Sequence, residues 1–542
     1  MKNLYKTTAT IVALLVTTSC NKYLDINSNP AVPQSVKAEF LLPPIEFQMT
    51  NGTAQDYQQI WKVTQNMGGT STDNSSLVWE QHTSTYPSNS DVGGVIWRMN
   101  YADLGLNLQH MIDDGITNQK YEYVAIGYAI KAWSFQMCTD LYGPIILDEA
   151  FTPNQLTFHY QDQPDVYNRV REWCYLSLKY AKMKSPLNYT TQLQGLTGDG
   201  IYKGDMTKWR KFVYALLALQ YSHLTNKAEF KTQYADSVSK FVDLSFANES
   251  ESATVYFAAT TNVDANPLGP SKAYMTTSSN GWYYGRPTTT ILNYLTGGVR
   301  GTAVPNSSSS IDPRLSRLLL PLVSTATPPV ISYIAITPTK GSTTNTVPAV
   351  YGAIPAGGTT YPGRYIFTDR ARYPLMTYSQ LQFAKAEAKF IQGNKGDAYT
   401  AYVNGIRGHM DFFNLYGRAS ATPDPVISAP EINAYMISSE VAQTAGDLNI
   451  ADIMGQKYIA QWGWAGLETW CDLRKYHYSP AVFRTYYQLA TLGGLAGVNA
   501  GKYAYRFRPR YNSEYVWNSA ELIKWGGLTP TYMTQETWFS QP

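Results

Sequence analysis

Cysteine is scarce in this 542-residue sequence, with four residues at positions 20, 138, 174 and 471. None of them stands in a CxxC pair, and an odd set remains once Cys20 is set aside. This pattern predicts neither a zinc site nor a disulfide framework. One disulfide is an alternative in an oxidising compartment, but we expect Cys138, Cys174 and Cys471 to be small, buried, apolar side chains.

The sequence also lacks an apolar run long enough to cross a bilayer, which takes about 20 residues. At its start, Lys2 and Lys6 precede an apolar stretch over residues 9–16 and small residues at 17–19. This is the arrangement of an export signal. We therefore expect residues 1–19 to be removed and no helix to span the membrane.

Cys20 follows these small residues directly, as in the lipobox of a bacterial lipoprotein, although Thr17 stands where an aliphatic residue is usual. Such a cysteine receives a diacylglycerol on its thiol and becomes the first residue of the mature chain. Acyl chains at one end hold a soluble body on a membrane. We predict lipidation of Cys20 and an extended tether over residues 20–36. The alternative is an ordinary secretory signal cleaved nearby, which leaves Cys20 unmodified.

An excess of one charge is missing too, because 43 basic residues stand against 40 acidic ones without a basic block. A nucleic-acid partner is therefore not expected. The HExxH, GxSxG and phosphate-loop sequences are absent as well. The sequence therefore implies no cofactor, no metal ligands and no catalytic residues, and we expect a protein that is not an enzyme.

Carboxylates need a separate argument, because a glycosidase requires only two of them about 5 to 10 Å apart. Glu468 and Asp472 share a helix face through their spacing of four, and Arg474 and Lys475 follow closely. We interpret these side chains as a structural ion network near a helix end. A surface glycosidase whose acid pair is scattered in sequence is the alternative.

Large residues recur at spacings of three and four over most of the chain, for example over 121–143 and 450–478. This periodicity predicts a mainly α fold, with one body over residues 37–542. The stretch from about 251 to 370 differs, because it is rich in Thr, Ser, Gly and Pro and contains alternating segments such as "VISYIAI". We expect it to be a loop- and strand-rich insertion packed on the helical body.

Residues 378–410 predict two amphipathic helices around the turn "QGNKGD". Ala386, Ala398 and Gly405 have the spacing at which tetratricopeptide hairpins keep small residues between two touching helices. Lys385 and Lys389 fall where that repeat prefers large apolar residues. A helical hairpin is therefore better supported than a strict repeat.

Aromatic residues are abundant, with 43 Tyr, 18 Phe and 13 Trp. Trp282, Tyr283 and Tyr284 are consecutive, so the three rings cannot all face one core. A second candidate is the polar loop that contains Trp79 and Tyr86. Exposed rings with polar neighbours suit sugars or peptides, so these five residues are the predicted ligand-binding set. The alternative is that the rings anchor their loops on the helical body.

Seven segments, in order along the chain, resemble the SusD/RagB family, and in particular its SusD-like branch. They are "YLDINSNP" (23–30), "TDLYGPIILDEA" (139–150), "YKGDMTKWRKFVYALLALQYS" (202–222), "IDPRL" (311–315), "AKAEAKFIQGNKGDA" (384–398), "GQKYIAQWGWAGLETWCDLRK" (455–475) and "RPRYNSEYVWN" (508–518). Two departures from the family pattern are Pro144, two places early, and Tyr214 with Ala215 in place of Asn-Ser. The segments cover nearly the whole mature chain.

The resemblance implies a body of tetratricopeptide-type hairpins with the 251–370 region packed against it. It also implies a cell-surface lipoprotein of the outer membrane that caps a SusC-like TonB-dependent transporter. Such proteins act as lids that capture glycans or, in some members, peptides, and the family is not known for catalysis. We therefore expect nutrient binding, most readily of a glycan oligosaccharide. A surface glycosidase, or a structural lid without its own ligand site, is the alternative.

Overall fold

The chain is mainly helical, as the periodicity predicts, in a computed structural model that describes residues 36–69, 74–84, 91–272, 285–304, 309–341, 347–350, 363–420 and 423–542. The helices are α1 (Ala38–Val63), α2 (Asn74–Glu80), α3 (Val95–Arg98), α4 (Gly105–Thr117), α5 (Tyr121–Tyr142), α6 (Gln163–Tyr180), α7 (Thr190–Gln194), α8 (Met206–Ser222), α9 (Ala235–Leu244), α10 (Thr289–Asn293), α11 (Leu315–Leu318), α12 (Tyr378–Gln392), α13 (Lys395–Tyr416), α14 (Ala429–Met436), α15 (Ile450–Gln461), α16 (Gly466–Lys475), α17 (Leu489–Leu492) and α18 (Ser519–Lys524). Short 3-10 and π turns join several of them.

Strands are few and short. They are β1 (Met67–Gly68), β2 (Ile145–Ile146), β3 (Tyr160–Gln161), β4 (Ala253–Val255), β5 (Arg286–Pro287), β6 (Leu322–Val323), β7 (Ile331–Ser332) and β8 (Tyr373–Met376). They form four antiparallel pairs, β1–β5, β2–β3, β4–β8 and β6–β7. In the described ranges, therefore, the sheets are short two-stranded pairs between helices, and they do not form a separate layer.

The α12–α13 hairpin forms where the small-residue spacing predicts it. Gly393 ends α12 with a φ of +89°, which favours glycine, and Asn394 caps α13 by accepting the Asp397 N–H. Ala386 and Ala398 are fully buried. A Cβ atom at Gly405 would lie only 2.7 to 2.9 Å from ring atoms of Phe383, so glycine is what lets the two helices touch.

Lys385 and Lys389, which depart from the repeat pattern, face helix α9 on the neighbouring hairpin. Lys385 Nζ lies 2.5 Å from Asp243 Oδ1, and Lys389 Nζ lies 3.6 Å from Asp236 Oδ1. The hairpins α8–α9 and α12–α13 therefore meet through ion pairs at the edge of an apolar contact. Polar residues at these positions are compatible with the helical stack.

The helical region predicted over 450–478 is two helices, α15 and α16, rather than one. Gly463 lies between them with a φ of +84°, outside the helical region. Asn66, just after α1, accepts the Gly463 N–H on its side chain at 3.0 Å and the Trp462 indole N–H on its carbonyl at 3.0 Å. A contact with a distant part of the chain thus fixes the break.

The described residues of the 251–370 region are poor in helix, as expected, but their strands are shorter than predicted. Of "VISYIAI", only Ile331–Ser332 is a strand, while Ile336 forms a single bridge to Thr288. The region joins the helical body through β4, which pairs with β8 directly before α12. It is therefore tied at its ends to the α12–α13 hairpin.

One apolar core runs through the described helices, from Ala38 to Phe539. Cys138, Cys174 and Cys471 are free, buried thiols within it, which confirms the interpretation of these cysteines. Each helix that the structure describes is too short or too polar to cross a bilayer. Residues 1–19 and the tether up to residue 35 lie outside the described ranges, as does Cys20.

The packing at Gly405 predicts opposite effects for one substitution at two sites of α13. Gly405→Ala should lower the free energy of unfolding by about 1 to 3 kcal/mol, because the new Cβ is forced against Phe383. Gly396→Ala should raise it by about 0.4 to 1 kcal/mol, because the nearest atom to a Cβ there is 3.9 Å away. Urea unfolding followed by circular dichroism measures both. Equal effects at the two sites would contradict the close packing.

Candidate functional site

The β1–β5 pair joins two chain segments that lead to predicted ligand-binding residues. Gly68 lies opposite Arg286, although 218 positions separate them in the numbering of the chain. One loop leaves β1 after Gly69, and the other enters β5 at Gly285. Tyr86, Trp282, Tyr283 and Tyr284 lie outside the described residues. Their roles stay predictions.

Glu80, the last residue of α2, contacts both β1 and the insertion. Its Oε1 accepts the Gly69 N–H at 2.7 Å, and its Oε2 accepts the Thr339 N–H at 2.7 Å. On the opposite strand, the Arg286 guanidinium donates to the carbonyl of Val347. One carboxylate thus ties helix α2 to β1 and to the insertion.

Trp79 lies in α2, whereas the sequence predicts that it lies in a polar loop. Only 7 % of its surface is exposed, and its ring packs on Phe507 with centroids 4.7 Å apart. The ring also borders a small cavity of about 10 Å³ together with Ser84, Asp91 and Arg510. Trp79 therefore anchors α2 beside the predicted binding loop, and its contact with a ligand stays a prediction.

His82, which follows α2, is a structural anchor as well. Its Nδ1 accepts the Ala504 N–H at 3.2 Å, so the ring proton sits on Nε2, which lies 3.1 Å from the Tyr486 hydroxyl. Burial lowers the pKa of His82 to about 3, which keeps the ring neutral. The contacts of His82 with Ala504 and Tyr486 thus fix the chain just before residues 85–90.

A larger aromatic cavity lies on the far side of Arg510, and we call it the Trp97 cavity. Its volume is about 280 Å³. It is lined by Trp97, Arg98, Tyr101, Ala102, Ile146, Ala150, Phe151, Phe158, Arg510, Ser513 and Glu514. Arg510 also lines the small cavity beside Trp79, so the two cavities share one wall. The sequence does not predict a site at these residues.

The sequence predicts only part of the Trp97 cavity. Trp97 and Tyr101 stand four apart, which indicates one helix face but not an open one. Phe151 and Phe158 come from an irregular stretch, and Ser513 comes from the C-terminal part of the chain. Only the fold brings these three groups together.

Asp56, on α1, positions Trp97 by holding the start of the short helix α3. Its Oδ2 accepts the Ile96 N–H at 2.7 Å in a fully buried setting. Burial raises the pKa of Asp56 to about 7, although the backbone N–H groups of Ile96 and Val95 act in the opposite direction. The wall of the cavity therefore depends on a carboxyl group that titrates near neutral pH.

Asp472 belongs to a structural ion network with Lys475, as the sequence predicts, but Glu468 does not share it. Asp472 Oδ1 lies 2.8 Å from Lys457 Nζ and 2.9 Å from Lys475 Nζ. Glu468 Oε2 instead lies 3.0 Å from His223 Nε2. The two carboxylates therefore have different basic partners, and Asp472 is fixed between two lysines.

Among the described residues, one group of three side chains brings metal-ligating atoms together. The atoms of Asp140, His223 and Cys471 lie within 4.8 Å of one another, and all three residues are buried. Tyr167 donates to Asp140 at 2.6 Å, and the Arg474 guanidinium contacts Cys471 Sγ at 3.1 Å. The group is therefore a hydrogen-bonded core network, and the Arg474 charge opposes a cation beside it.

Comparisons with known proteins agree with the helical architecture. Residues 30–486 match the SusD-like_2 family, described as starch-binding and associating with the outer membrane. A SusD/RagB family protein from Bacteroides thetaiotaomicron is 18% identical and has a TM-score of 0.66, over 93% of this chain and 99% of that one. A chitin-binding SusD homolog from Flavobacterium johnsoniae is 17% identical with a TM-score of 0.61, over 93% and 98%. No curated protein sequence matches the chain.

The buried carboxyl of Asp56 predicts a specific pH dependence. Its folded pKa of about 7 exceeds the unfolded value of about 3.9, so its contribution to stability is present below about pH 4 and is lost as the pH rises through 7. Asp56→Asn keeps a side-chain acceptor and cannot ionise. Relative to the wild type, this variant should gain up to about 4 kcal/mol in free energy of unfolding between about pH 4 and pH 8.

Urea unfolding at several pH values checks this prediction. Asp165→Asn makes the same change at an exposed position in the first turn of α6 and serves as the control. Parallel stability curves for Asp56→Asn and the wild type over this pH range would show that Asp56 is not the titrating group.

Proposed function

The chain belongs to the SusD-like family, and we propose that it is a surface lipoprotein that binds a glycan oligosaccharide. In this proposal Cys20 carries the lipid that holds the body on the outer membrane. The body then acts as a lid on a SusC-like TonB-dependent transporter and delivers the glycan to it. The chain's own task is capture rather than catalysis.

The family supports the carbohydrate part of this proposal. It is described as starch-binding, and two structures of the same fold are described as chitin-binding. Aromatic rings on loops suit such ligands, because a ring covers the CH face of a sugar at little cost in conformational entropy. Trp282, Tyr283, Tyr284, Tyr86 and Trp79 are the residues proposed to provide these rings.

The pairing of β1 with β5 carries the proposal most directly. It brings the start of the segment that contains Trp79 and Tyr86 beside the end of the segment that contains Trp282, Tyr283 and Tyr284, and Glu80 ties α2 to β1 and to the insertion. Segments that lead from one rigid part of the fold can present rings to the same ligand, as a binding protein requires. The described ion network at Asp472 supports a structural rather than a catalytic use of that carboxylate.

The lipid anchor predicts where the protein will be found. Cys20→Ser should remove the acylated thiol, so the protein should move from the outer-membrane fraction to the soluble fraction. Mass spectrometry of the wild-type N-terminus should detect a chain that begins at an acylated Cys20. A wild-type N-terminus at another residue, without acyl chains, would support the ordinary secretory signal instead.

The loop rings predict which residues bind the glycan. Trp282→Ala should weaken the binding of a glycan from a panel of oligosaccharides by about tenfold or more, because an aromatic anchor is lost. Trp517→Ala is a matched control, since Trp517 is 75% exposed and lies outside both loops. Isothermal titration calorimetry with the purified proteins measures their affinities for the glycan.

The same panel separates the alternatives. Retention of a glycan without product release supports the binding protein, whereas release of shortened glycans would identify a glycosidase. Binding of peptides but not of glycans would show that the ligand is a peptide. Purification from outer membranes should also recover a barrel protein of the transporter class, and its consistent absence would count against the lid.

A further inference from the structure

We propose that the end of the body at which the tether joins α1 is a membrane-contact surface that lies on anionic lipid head groups. We call it the tether face, and it consists of residues 36–40, 113–122 and 179–189. The inference rests on the lipid anchor of the proposed function, but the surface itself belongs to the helical body. Three observations support it: the point at which the tether ends, the lysines of this face and its exposed apolar side chains.

Polar contacts hold the three parts of the tether face together. Lys120, just before α5, has its Nζ atom 2.7 Å from Glu39 Oε2 on α1 and 2.8 Å from Asp114 Oδ2 on α4. Ser185, which follows α6, accepts the Tyr121 N–H at 2.9 Å on its hydroxyl oxygen. The first turn of α1, the connection between α4 and α5 and the chain after α6 therefore form one continuous surface.

The tether confines this surface to the neighbourhood of the membrane. Residues 21–35 connect Cys20 to Val36, where the described chain begins. Even when fully extended, a segment of this length spans at most about 55 Å. A lipid on Cys20 therefore keeps the start of α1 within this distance of the bilayer, whereas the opposite end of the body is not confined so closely.

Lysines give the tether face a positive charge toward the solvent. Residues 173–204 contain four lysines and one carboxylate, and that carboxylate, Asp199, is fully buried. The exposed lysines of the tether face are Lys37, Lys179, Lys182 and Lys184. Among the described residues, no carboxylate lies within 4.0 Å of the Nζ atom of any of these four lysines. Their charges are therefore not neutralised by ion pairs within the described part of the body.

The carboxylates on the same face already have partners in the protein. Two of them share the Lys120 ammonium group, as described above. Glu122 accepts the Ser185 hydroxyl, and Asp113 Oδ1 accepts the Gln109 amide at 2.9 Å. Each basic side chain near an anionic bilayer adds to the electrostatic attraction. The exposed lysines thus provide the charge that phosphate head groups complement.

Exposed apolar side chains lie among these lysines. Phe40, in the first turn of α1, is 70% exposed, and Leu187 is 67% exposed. Met183, which is 38% exposed, stands between Lys182 and Lys184. Apolar side chains of this kind enter the boundary between head groups and acyl chains, while lysines keep their charged ends in water. The mixture is therefore that of a surface that lies on a membrane.

A lipid surface fits this composition better than a protein partner does. Lysine is depleted in protein–protein interfaces. Lipid head groups, in contrast, can move toward a lysine that stays hydrated and flexible. Tyr121 and Tyr180, whose ring centroids lie 5.9 Å apart, belong to the same end, and tyrosine is enriched where proteins meet the membrane interface. The acyl chains of Cys20 hold the protein on the membrane, and the tether face orients its body.

Vesicle binding in the absence of acyl chains tests the tether face. The protein is the mature chain with Cys20→Ser, and the probes are phosphatidylcholine vesicles with and without phosphatidylglycerol. We expect co-sedimentation with the anionic vesicles, about tenfold weaker binding to the neutral ones, and loss of binding at about 0.5 M salt, because salt screens the lysines. A lack of binding to the anionic vesicles would overturn the inference, as would equal binding to both kinds of vesicle.

Two double variants of this chain test the lysines. Lys182→Ala with Lys184→Ala should weaken binding to anionic vesicles by about tenfold or more, because two charges are lost next to the head groups. Lys231→Ala with Lys395→Ala removes the same charge at exposed positions, one after α8 and one at the start of α13, and should bind like the parent chain. Equal losses in the two double variants would show attraction by net charge alone and would overturn the tether face.

A single variant tests the apolar side chains. Phe40→Ala should weaken vesicle binding by about threefold or more, because less apolar surface enters the bilayer. Ile437→Ala is the control, since Ile437 is 77% exposed and lies just after α14. Thermal unfolding confirms that each variant is folded. Unchanged binding of Phe40→Ala would contradict the apolar part of the contact.

Amine labelling of the acylated wild type reports its orientation on vesicles. Lys182 and Lys184 should be labelled about threefold or more slowly on anionic vesicles than in detergent, whereas Lys231 and Lys395 should be labelled equally in both. Equal labelling of all four lysines would overturn the inference. Protection that requires the barrel protein of the transporter would identify a protein interface instead.

The outcomes separate this inference from the proposed function. An N-terminus without acyl chains would remove the lipid anchor, but the Cys20→Ser chain would still report whether the tether face binds anionic lipid. Conversely, an acylated protein whose Cys20→Ser form ignores anionic vesicles would keep the anchor and lose the tether face.

Discussion

A buried ion network between three helices is the constraint on which the rest of the structure depends. Lys457 on α15, Asp472 and Lys475 on α16 and Glu387 on α12 are all within a few per cent of complete burial. Lys475 Nζ lies 2.9 Å from both Glu387 and Asp472. Burial alone would raise the pKa of Asp472, but Lys457 and Lys475 outweigh it and keep the pKa below its usual value. Removing one member would leave a buried charge without a partner, which is strongly destabilising.

The network fixes α16, and α16 in turn places the C-terminal segment. The Arg474 guanidinium donates to the carbonyls of Asp140 and Tyr505 at 2.6 and 2.8 Å, and the Phe507 N–H donates to the Leu141 carbonyl at 2.9 Å. These hydrogen bonds hold the C-terminal segment against the end of α5. Phe507 then packs on Trp79, and Arg510 reaches the Trp97 cavity. The surroundings of Trp79 and of the Trp97 cavity therefore depend on a network of charges in the helical core.

Local patterns explain which parts of this structure could be predicted from the sequence. The α12–α13 hairpin follows from small residues within one stretch, and the burial of Cys138 and Cys471 follows from the apolar character of free cysteine. The break at Gly463 could not be predicted, because Asn66 provides the hydrogen bonds that hold it. The helical position of Trp79 could not be predicted for a similar reason, since its partner Phe507 is distant in sequence. The Trp97 cavity combines three separate segments, and no periodicity connects them.

Asp91 fixes one end of the segment that contains Tyr86. It directly follows residues 85–90, and it accepts the backbone and side-chain N–H groups of Asn512, both at 2.9 Å, besides its ion pair with Arg510. Burial would raise the pKa of Asp91, but Asn512 and Arg510 lower it, so the carboxylate stays charged at neutral pH. His82 and Glu80 hold the other end of the same segment. Residues between two such clamps can change without moving the helices. In the proposed function, residues 85–90 can therefore differ with the glycan while the ion pair of Arg510 with Asp91 is kept.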